Sequence, residues 1–330
     1  MKIISVITVA LLAATCARAE TTELRVAKQY GLGYLQMMLM EDQHLIEAQA
    51  KAAGLGDLNV TWATFRSSDV MNDALISGSV DFVCLGPAGL VTIWAKTRGN
   101  IDVRAAAAMN AQPNFLNARK PELKSIRDFT DKDRIALPAV KVAMQAIALQ
   151  MAAAAAFGKE NYTKLDPLTV SMAHPDGMTA LLAGGSEITA HYTSAPYQYK
   201  ELASPGIHKV LDSYEVMGGP YTFNVIATTA KFRAANPKTY GVFLAALSAA
   251  TDAINRDKPA AAENYLRIAH DKSPSAEILA MLNDPAIEFT LIPKRLLPIA
   301  AFMHDVGSVK IVPASWKDLF FENAHDLPGS

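Results

Sequence analysis

The fold class is indicated most clearly by one stretch of the sequence, Ser77-Gly78-Ser79-Val80-Asp81-Phe82-Val83-Cys84-Leu85-Gly86-Pro87. Its small residues at the start are typical of a helix end, and the apolar run 82–85 has the length of a buried strand. Gly86-Pro87 then opens another helix, because proline is favoured in the first helical turn. A strand between two helices is the unit of a parallel α/β sheet.

Strand and helix patterns alternate on the N-terminal side of this stretch. Residues 24–28 and 59–65 read as strands, and an amphipathic helix is predicted over residues 34–53. Ser67-Ser68-Asp69 caps a further helix that continues to Ile76. This alternation predicts an α/β fold whose sheets are rich in parallel strands and carry helices on both faces.

A repeated pattern indicates two lobes of similar construction. Ala74-Leu75-Ile76-Ser77-Gly78-Ser79 is echoed by Ala180-Leu181-Leu182-Ala183-Gly184-Gly185-Ser186. A short strand and a turn that ends in proline, at Pro87 and at Pro196, follow each copy. Two copies about a hundred residues apart predict two α/β lobes.

Turn residues predict where the chain crosses between these lobes. The first crossing is at Asn110-Ala111-Gln112-Pro113 and the second at Met217-Gly218-Gly219-Pro220. We therefore expect residues 20–112 with 219–330 to form lobe I, residues 113–218 to form lobe II, and Asn110 and Gly218-Gly219 to act as hinges. The C-terminal part is predicted to be helical, with helices from Pro237, from Pro259, over 293–303 and over 316–321.

Composition excludes several classes of protein. The chain has 330 residues, of which 51% are hydrophobic, and this is enough for two domains with a substantial core. Its 31 Lys+Arg and 32 Asp+Glu residues are interspersed, whereas an extended nucleic-acid interface needs a basic excess or stripe. No nucleic-acid partner is expected.

The N-terminus predicts export to the periplasm. Met1-Lys2 is a positive start, residues 3–14 are apolar, and Ala17-Arg18-Ala19 is a small-x-small cleavage site, so residues 1–19 read as a signal peptide cleaved after Ala19. Lipidation of Cys16 is the less favoured alternative. No later stretch has the 18 or so apolar residues that a spanning helix needs, so no membrane insertion is expected. Cys84 then remains without a disulfide partner.

Motifs for catalysis, metals and cofactors are missing from the sequence. There is no G-x-S-x-G, H-E-x-x-H, C-x-x-C or P-loop pattern. Gly31-Leu32-Gly33 follows a predicted strand, but Gln36 stands where a dinucleotide fingerprint needs its third glycine. We therefore predict no catalytic residue, no metal, no cofactor and no enzymatic activity.

At several places in this chain a predicted strand is followed directly by the N-terminus of a helix. Helix N-termini present free N–H donors and the positive end of the helix dipole, so they favour anionic ligands without a lysine. His174 and His191 also fall at predicted strand ends, where open α/β sheets bind ligands. The nearby hydroxyl groups and cations are candidates on the same grounds: Ser67, Ser68, Thr193, Ser194, Arg66 and Lys141.

These residues resemble the periplasmic solute-binding proteins of ABC transporters, in the nitrate, sulfonate, taurine and bicarbonate group that includes thiamine-precursor binders. The resemblance runs through the first glycine turn, the stretch from Ala74 to Phe82 and Tyr221-Thr222-Phe223-Asn224-Val225-Ile226-Ala227, to Ala300-Ala301-Phe302-Met303 and Ser315-Trp316-Lys317-Asp318-Leu319. It implies a monomeric, type II-like two-lobed fold with two hinge crossovers and C-terminal helices on lobe I. A small anionic or polar organic solute would be trapped between the lobes and delivered to a membrane permease.

The resemblance also implies ligand-binding positions. The sequence departs from the pattern where Pro138-Ala139-Val140-Lys141 replaces a Gly-Ser-Ser-like run and where Thr189 replaces an aspartate. Tyr30, Tyr34 and Tyr192 are alternative walls for a ring. Together with His174, the expected ligand-binding residues are Tyr30, Gly31, Arg66, Ser67, Ser68, Gly86, Pro87, Asn110, Val140, Lys141, His191, Tyr192 and Thr193.

Three other functions stay open from the sequence. One is an enzyme on the same fold, as in pyrimidine-synthase relatives of thiamine-precursor binders. A second is a sensory module that presents its ligand to a membrane receptor. The third is a binder of a pyrimidine or another aromatic solute.

Overall fold

Two separate sheets organise residues 20–330, the part of the chain that this computed structural model describes. The predicted signal peptide and Cys16 lie outside these residues. The first sheet contains, from edge to edge, β11 (Glu288–Phe289), β4 (Val103–Ala111), β10 (Thr222–Thr229), β3 (Phe82–Leu85), β1 (Glu23–Lys28) and β2 (Asn59–Thr64). The second contains β7 (Thr169–Ser171), β6 (Ile135–Leu137), β8 (Ala190–Thr193), β5 (Phe115–Ala118) and β9 (His208–Asp212).

Both sheets are mixed rather than rich in parallel strands. β1 pairs in parallel with β2 and β3, and β6 pairs in parallel with β7 and β8, as expected for strands joined by helices. β10 is antiparallel to β3 and β4, and β5 is antiparallel to β8 and β9. The antiparallel strands include β4, β5, β9 and β10, which flank the two crossings between the sheets. Parallel pairing is expected only for strands that alternate with helices within one sheet, so it does not extend to these four.

Helices cover the sheets and carry most of the remaining chain. Short 3-10 turns lie at residues 32–34, 159–161, 166–168, 316–319 and 322–324. The α-helices are α1 (Leu35–Asp42), α2 (Leu45–Ala52), α3 (Ser68–Ile76), α4 (Pro87–Thr97), α5 (Met144–Phe157), α6 (His174–Leu182), α7 (Tyr197–Leu202), α8 (Ser213–Met217), α9 (Ala230–Ala235), α10 (Pro237–Arg256), α11 (Lys258–Ala269), α12 (Ser275–Asn283) and α13 (Leu297–Asp305).

Three helix predictions were wrong in extent. The helix expected over 34–53 is two helices, because His44 adopts a left-handed conformation with φ 50° and interrupts the hydrogen-bond ladder between α1 and α2. The helix expected from Pro293 begins only at Leu297, and the one expected over 316–321 is a 3-10 turn.

The core of the first sheet is built on close aromatic packing. Phe82 of β3 stacks on Phe243 of α10 with ring centroids 4.0 Å apart and an interplanar angle of 1°. Cys84 is fully buried on the same strand, and its Sγ lies 3.2 Å from the Sδ of Met109. Burial raises the pKa of the Cys84 thiol well above its ordinary value.

Two crossing segments connect the sheets and are tied to each other. One joins β4 to β5, and the other runs from α8 through Gly218 (φ 73°) and Gly219 (φ 136°) to β10. The hydroxyl of Tyr221 lies 3.2 Å from Asn114 Oδ1 and 3.2 Å from Ser213 Oγ, so one buried side chain bridges both crossings. Near them, α13 contacts both α4 and α5.

No helix within residues 20–330 combines the length and the apolar character that a membrane span requires.

Candidate functional site

A small cavity lies between the two sheets, at the ends of the strands where the helices begin. Its volume is about 20 Å³, which is room for about one water-sized group. We call it the inner cavity. It is lined by Gln29, Tyr34, Ser68, Gly86, Phe223 and Asn224 from the first-sheet side and by Pro138, Ala143, Met144, Gln145 and His174 from the second-sheet side.

Four helices begin at this cavity. α3 and α4 reach it from the first sheet with Ser68 and Gly86, and α5 and α6 reach it from the second with Met144 and His174. Within residues 20–330, none of these helices has an N-cap side chain that accepts a hydrogen bond. Convergent N-termini with free N–H groups favour an anion.

Of the four helices, α4 and α5 have no acidic side chain among the described residues of the first turn, at the positive N-terminal end of the helix dipole. α3 has Asp69 and α6 has Asp176 in the first turn, whereas the described first turns of α4 and α5 have no acidic residue. These two helices are also the longest, with 11 and 14 residues. They approach the cavity from opposite sheets, so an anion between them contacts both halves of the molecule.

Ser68 is oriented to donate a hydrogen bond into the cavity. Its Oγ accepts from the backbone N–H of Gly86 at 3.2 Å and from Gln29 Nε2 at 3.4 Å, which leaves its own proton unused. Gly89 makes this position possible, because a Cβ at Gly89 would lie 2.7 Å from the Cβ of Ser68. Ser68 therefore has a hydroxyl proton available for a ligand oxygen.

His174 contributes a neutral imidazole from the other side. It is 4% exposed, and its Nδ1 lies 2.8 Å from Thr193 Oγ1, so Nε2 is the ring nitrogen left for a ligand. Burial, together with the neighbouring His191, lowers the pKa of His174 well below its ordinary value. The ring also stacks on Tyr197 at a centroid distance of 5.8 Å.

His191 lies behind His174 and does not line the cavity. Its Nδ1 is 2.6 Å from Glu201 Oε1, and both side chains are completely buried. Glu201 Oε2 also accepts from Asn117 Nδ2 at 2.8 Å. A Cβ on Gly177 would lie 2.5 Å from His191 Nε2, so this glycine allows α6 to approach the ring. We call His174, Thr193, His191, Glu201 and Asn117 the histidine cluster.

A second buried polar group surrounds the carbonyl of Gly33. Asn110 Nδ2 donates to Gly33 O at 2.6 Å, and Asn224 Nδ2 donates to it at 3.0 Å. Gln36 Nε2 donates to Met109 O at 2.9 Å. Among the described residues, the Oδ1 atoms of Asn110 and Asn224 have no hydrogen-bond partner. We call Gln36, Asn110 and Asn224 the amide cluster.

A larger cavity of about 660 Å³ adjoins the inner one and shares Gln29 with it. We call it the outer cavity. It too has walls from both halves of the chain, since His174 lines the inner cavity and the next residue, Pro175, lines the outer one. Its lining residues are Lys28, Gln29, Tyr30, Gly31, Met38, Glu41, Asp42, Thr64, Pro175, Met178, Tyr197, Lys200, Tyr265, Ile268, Ala269 and Asp271.

Five of the residues expected to bind ligand line one of these cavities. Ser68, Gly86 and His174 line the inner cavity, and Tyr30 and Gly31 line the outer one. The helix-start rule locates the first three because each stands at the first turn or the N-cap of a helix.

The remaining expected residues lie elsewhere for identifiable reasons. Arg66 and Lys141 are exposed side chains, and Ser67 donates its hydroxyl proton to Asp69 in its own turn. The backbone N–H of Val140 donates a hydrogen bond to Ser171 Oγ at 3.1 Å. Buried positions account for the others: Pro87 begins α4, Asn110 belongs to the amide cluster, His191 and Thr193 belong to the histidine cluster, and Tyr192 packs in the core.

Sequence reasoning missed the amides and two tyrosines. Gln29 follows β1 and Gln145 is the second residue of α5, so the helix-start rule extended by one residue finds Gln145. Asn224, Tyr197 and Tyr265 lie within β10, α7 and α11, and only the fold brings them to the cavities. No group of three or more His, Cys, Asp and Glu side chains suited to a metal ion occurs within residues 20–330.

Several solved structures share this fold. The alkanesulfonate-binding protein SsuA from Xanthomonas axonopodis pv. citri, bound to MOPS, has a TM-score of 0.71 at 17% identity, over 93% of this chain and 98% of its own. The periplasmic aliphatic sulphonate binding protein SsuA from Escherichia coli has a TM-score of 0.66 at 17% identity, over 92% and 93%. The periplasmic nitrate-binding protein NrtA from Synechocystis PCC 6803 has a TM-score of 0.61 at 14% identity, over 80% and 70%.

These likenesses confirm the predicted fold class, the two-lobed fold of periplasmic binding proteins. None of the curated proteins matches the chain in sequence. The sequence does match a family model, that of the NMT1-like family, over residues 19–269, which is more than half of the chain. The chain therefore belongs to the NMT1-like family.

Proposed function

We propose that this protein is the extracytoplasmic solute-binding component of an ABC import system, and that it traps an anionic organic solute between its two lobes. The observation that carries the proposal is that α4 and α5 converge from opposite sheets on one small cavity, and that neither has an acidic residue among the described residues of its first turn. Solved structures of the same fold include alkanesulfonate- and nitrate-binding proteins, which supports the same class of solute here.

The proposed binding residues are those that line the inner cavity with donors. Ser68 offers its hydroxyl proton, Gln29 and Gln145 offer amide N–H groups, and His174 offers a neutral ring. These donors are neutral, so the charge of the solute is balanced by helix dipoles instead of by a lysine or arginine. In a closed, water-poor cavity such hydrogen bonds discriminate strongly between solutes.

The proposed motion is hinge closure. Residues 20–112 with 219–330 form one lobe and residues 113–218 the other, and the bend occurs near Asn110 and at Gly218-Gly219. The positive φ angles of both glycines and the pairing of Tyr221 with Asn114 support this location. We also propose that the chain is exported to the periplasm and cleaved after Ala19, and that it binds its solute without a catalytic step.

The test is a titration calorimetry series with taurine, methanesulfonate, nitrate and bicarbonate, with acetamide as the uncharged control. At least one anion is expected to bind and acetamide is not. Ser68→Ala should weaken that anion about 10- to 100-fold, since a hydrogen bond to a charged group contributes about 1.5–3 kcal/mol. Ser79→Ala, an exposed serine outside both cavities, is the matched control.

Two outcomes count against the proposal: no binding of any anion, or equal affinity of Ser68→Ala and the unmodified protein.

The sensory alternative uses the same cleft. It is separated from import by reconstituting the protein with the ABC permease in vesicles, where an import component stimulates ATP hydrolysis and a purely sensory module does not.

A further inference from the structure

The charges around the outer cavity cancel within the protein. Each of its lysines and acids is paired with a partner side chain. Lys28 Nζ lies 2.9 Å from Glu41, Lys200 Nζ lies 2.5 Å from Asp271, and Arg267 lies 2.6 Å from Asp42. The part of a solute that occupies this cavity therefore meets no unpaired charge, and an uncharged group fits it best.

Three tyrosines are among the residues that line the outer cavity. Tyr30, Tyr197 and Tyr265 line it, and Tyr30 is 42% exposed, unlike the other two. The ring of Tyr197 is fixed between His174, on which it stacks, and Gly31, where a Cβ would lie 3.6 Å from its Cε2. Burial raises the pKa of Tyr197, which keeps this phenol uncharged. A planar ring in this cavity would find the ring of Tyr197 already held in place, and Tyr30 offers it a further ring to pack against.

The volumes of the two cavities favour a larger organic solute over a small oxyanion. The inner cavity holds about 20 Å³, and a nitrate or bicarbonate ion would leave the adjoining 660 Å³ to water. Cavities that take organic ligands usually measure about 300–1,000 Å³, so the outer cavity has the volume of a ligand site. Its walls come from both halves of the chain, as those of the inner cavity do.

We propose that the solute is an aromatic anion, with an oxygen of its anionic head group in the inner cavity and its uncharged planar ring in the outer cavity against Tyr30. The proposal rests on the proposed function, because it assigns the head group to the anion site. Carboxylate and sulfonate head groups share the chemistry that the helix starts recognise, so the test includes both.

The first experiment compares the dissociation constants of benzoate, benzenesulfonate, methanesulfonate and benzyl alcohol by titration calorimetry on the purified protein. At least one aryl anion should bind about 10- to 100-fold more tightly than methanesulfonate, which is the effect of burying a ring-sized apolar group. Benzyl alcohol, which has the ring without the charge, should bind more weakly than that anion.

The second experiment removes the ring wall. Tyr30→Ala should weaken the aryl anion about three- to tenfold and leave methanesulfonate unchanged, whereas Tyr30→Phe keeps the aryl affinity. Because Tyr30 is exposed, the variant is expected to fold. Val312→Ala, at an apolar side chain that is 43% exposed and lies outside both cavities, is the matched control and should change neither ligand.

The outcomes separate the two proposals. Equal binding of methanesulfonate and both aryl anions, or no effect of Tyr30→Ala on the aryl anion, overturns the aromatic assignment and leaves the anion site in place. Equal binding of benzyl alcohol and the aryl anions overturns the anion site. Failure of every anion to bind overturns both.

Discussion

The amide cluster and the histidine cluster differ in the kind of polar group that each half of the molecule buries next to the inner cavity. On the first-sheet side, Asn110 and Asn224 meet on the carbonyl of Gly33, and neither side chain titrates. On the second-sheet side, His191 and Glu201 form a fully buried pair behind His174. The first cluster is therefore built from amides alone, and the second contains side chains of ionisable type.

The difference also predicts different costs of disruption. A buried ionisable pair is expensive to break, because the remaining partner loses its counterpart in a medium that solvates charge poorly. Neutral amides cost less, and their main vulnerability is steric because they are closely packed around Gly33. Three predictions follow this contrast from the larger effect to the smaller.

Glu201→Ala should destabilise the protein most, by about 3–5 kcal/mol in the free energy of unfolding. The substitution leaves the buried His191 ring and the Asn117 amide without their shared acceptor. Urea unfolding measures the loss. Glu215→Ala, at an exposed position on α8, is the control and should stay within about 0.5 kcal/mol. A loss below about 1 kcal/mol for Glu201→Ala would remove the contrast between the clusters.

Gly33→Ala should cost about 1–3 kcal/mol through overpacking in the amide cluster. The new Cβ would lie 2.7 Å from Gln112 Nε2 and 2.9 Å from Phe223 Cε1. Gly241→Ala is the control, since a Cβ there meets nothing within 4 Å inside α10, and it should stabilise by about 0.5–1 kcal/mol. If both glycines respond alike, packing around Gly33 is not the cause.

His174 should make stability fall on acidification. Its folded-state pKa is depressed below the ordinary value of about 6.5, so below that pH the unfolded chain binds a proton that the folded chain does not. Stability then falls by at most about 1.4 kcal/mol per pH unit and is unaffected by this group above pH 7. The free energy of unfolding, measured at pH 5, 6 and 7, should depend less steeply on pH for His174→Gln than for the unmodified protein. An unchanged slope would assign the pH dependence to another group.

Local sequence rules reach those residues of the inner cavity whose position depends on local structure. Ser68, Gly86 and His174 stand where a strand feeds a helix, and this arrangement can be read from turn and capping residues. The same rule makes Arg66 and Lys141 candidates, but a long cationic side chain at a helix start is free to point into solvent, and both side chains are exposed.

Longer-range features could not be read in this way. His191, Tyr192 and Thr193 are all expected to bind ligand, but they belong to strand β8, whose side chains alternate between faces. Thr193 therefore contacts His174 while Tyr192 packs in the core on the opposite face. Tyr197 and Tyr265 reach one cavity only because two helices from different sheets meet there. Such pairings depend on the tertiary arrangement, which composition and periodicity do not encode.

Because Cys84 is buried, the reaction of its thiol with a reagent can report on opening of the first sheet. This thiol is the only one in residues 20–330, it is fully buried in a central strand of the first sheet, and its raised pKa keeps it protonated. A thiol reagent can reach it only when that sheet opens. The labelling rate of Cys84 under native conditions therefore measures how often the first sheet opens, with and without solute, and no engineered probe is needed.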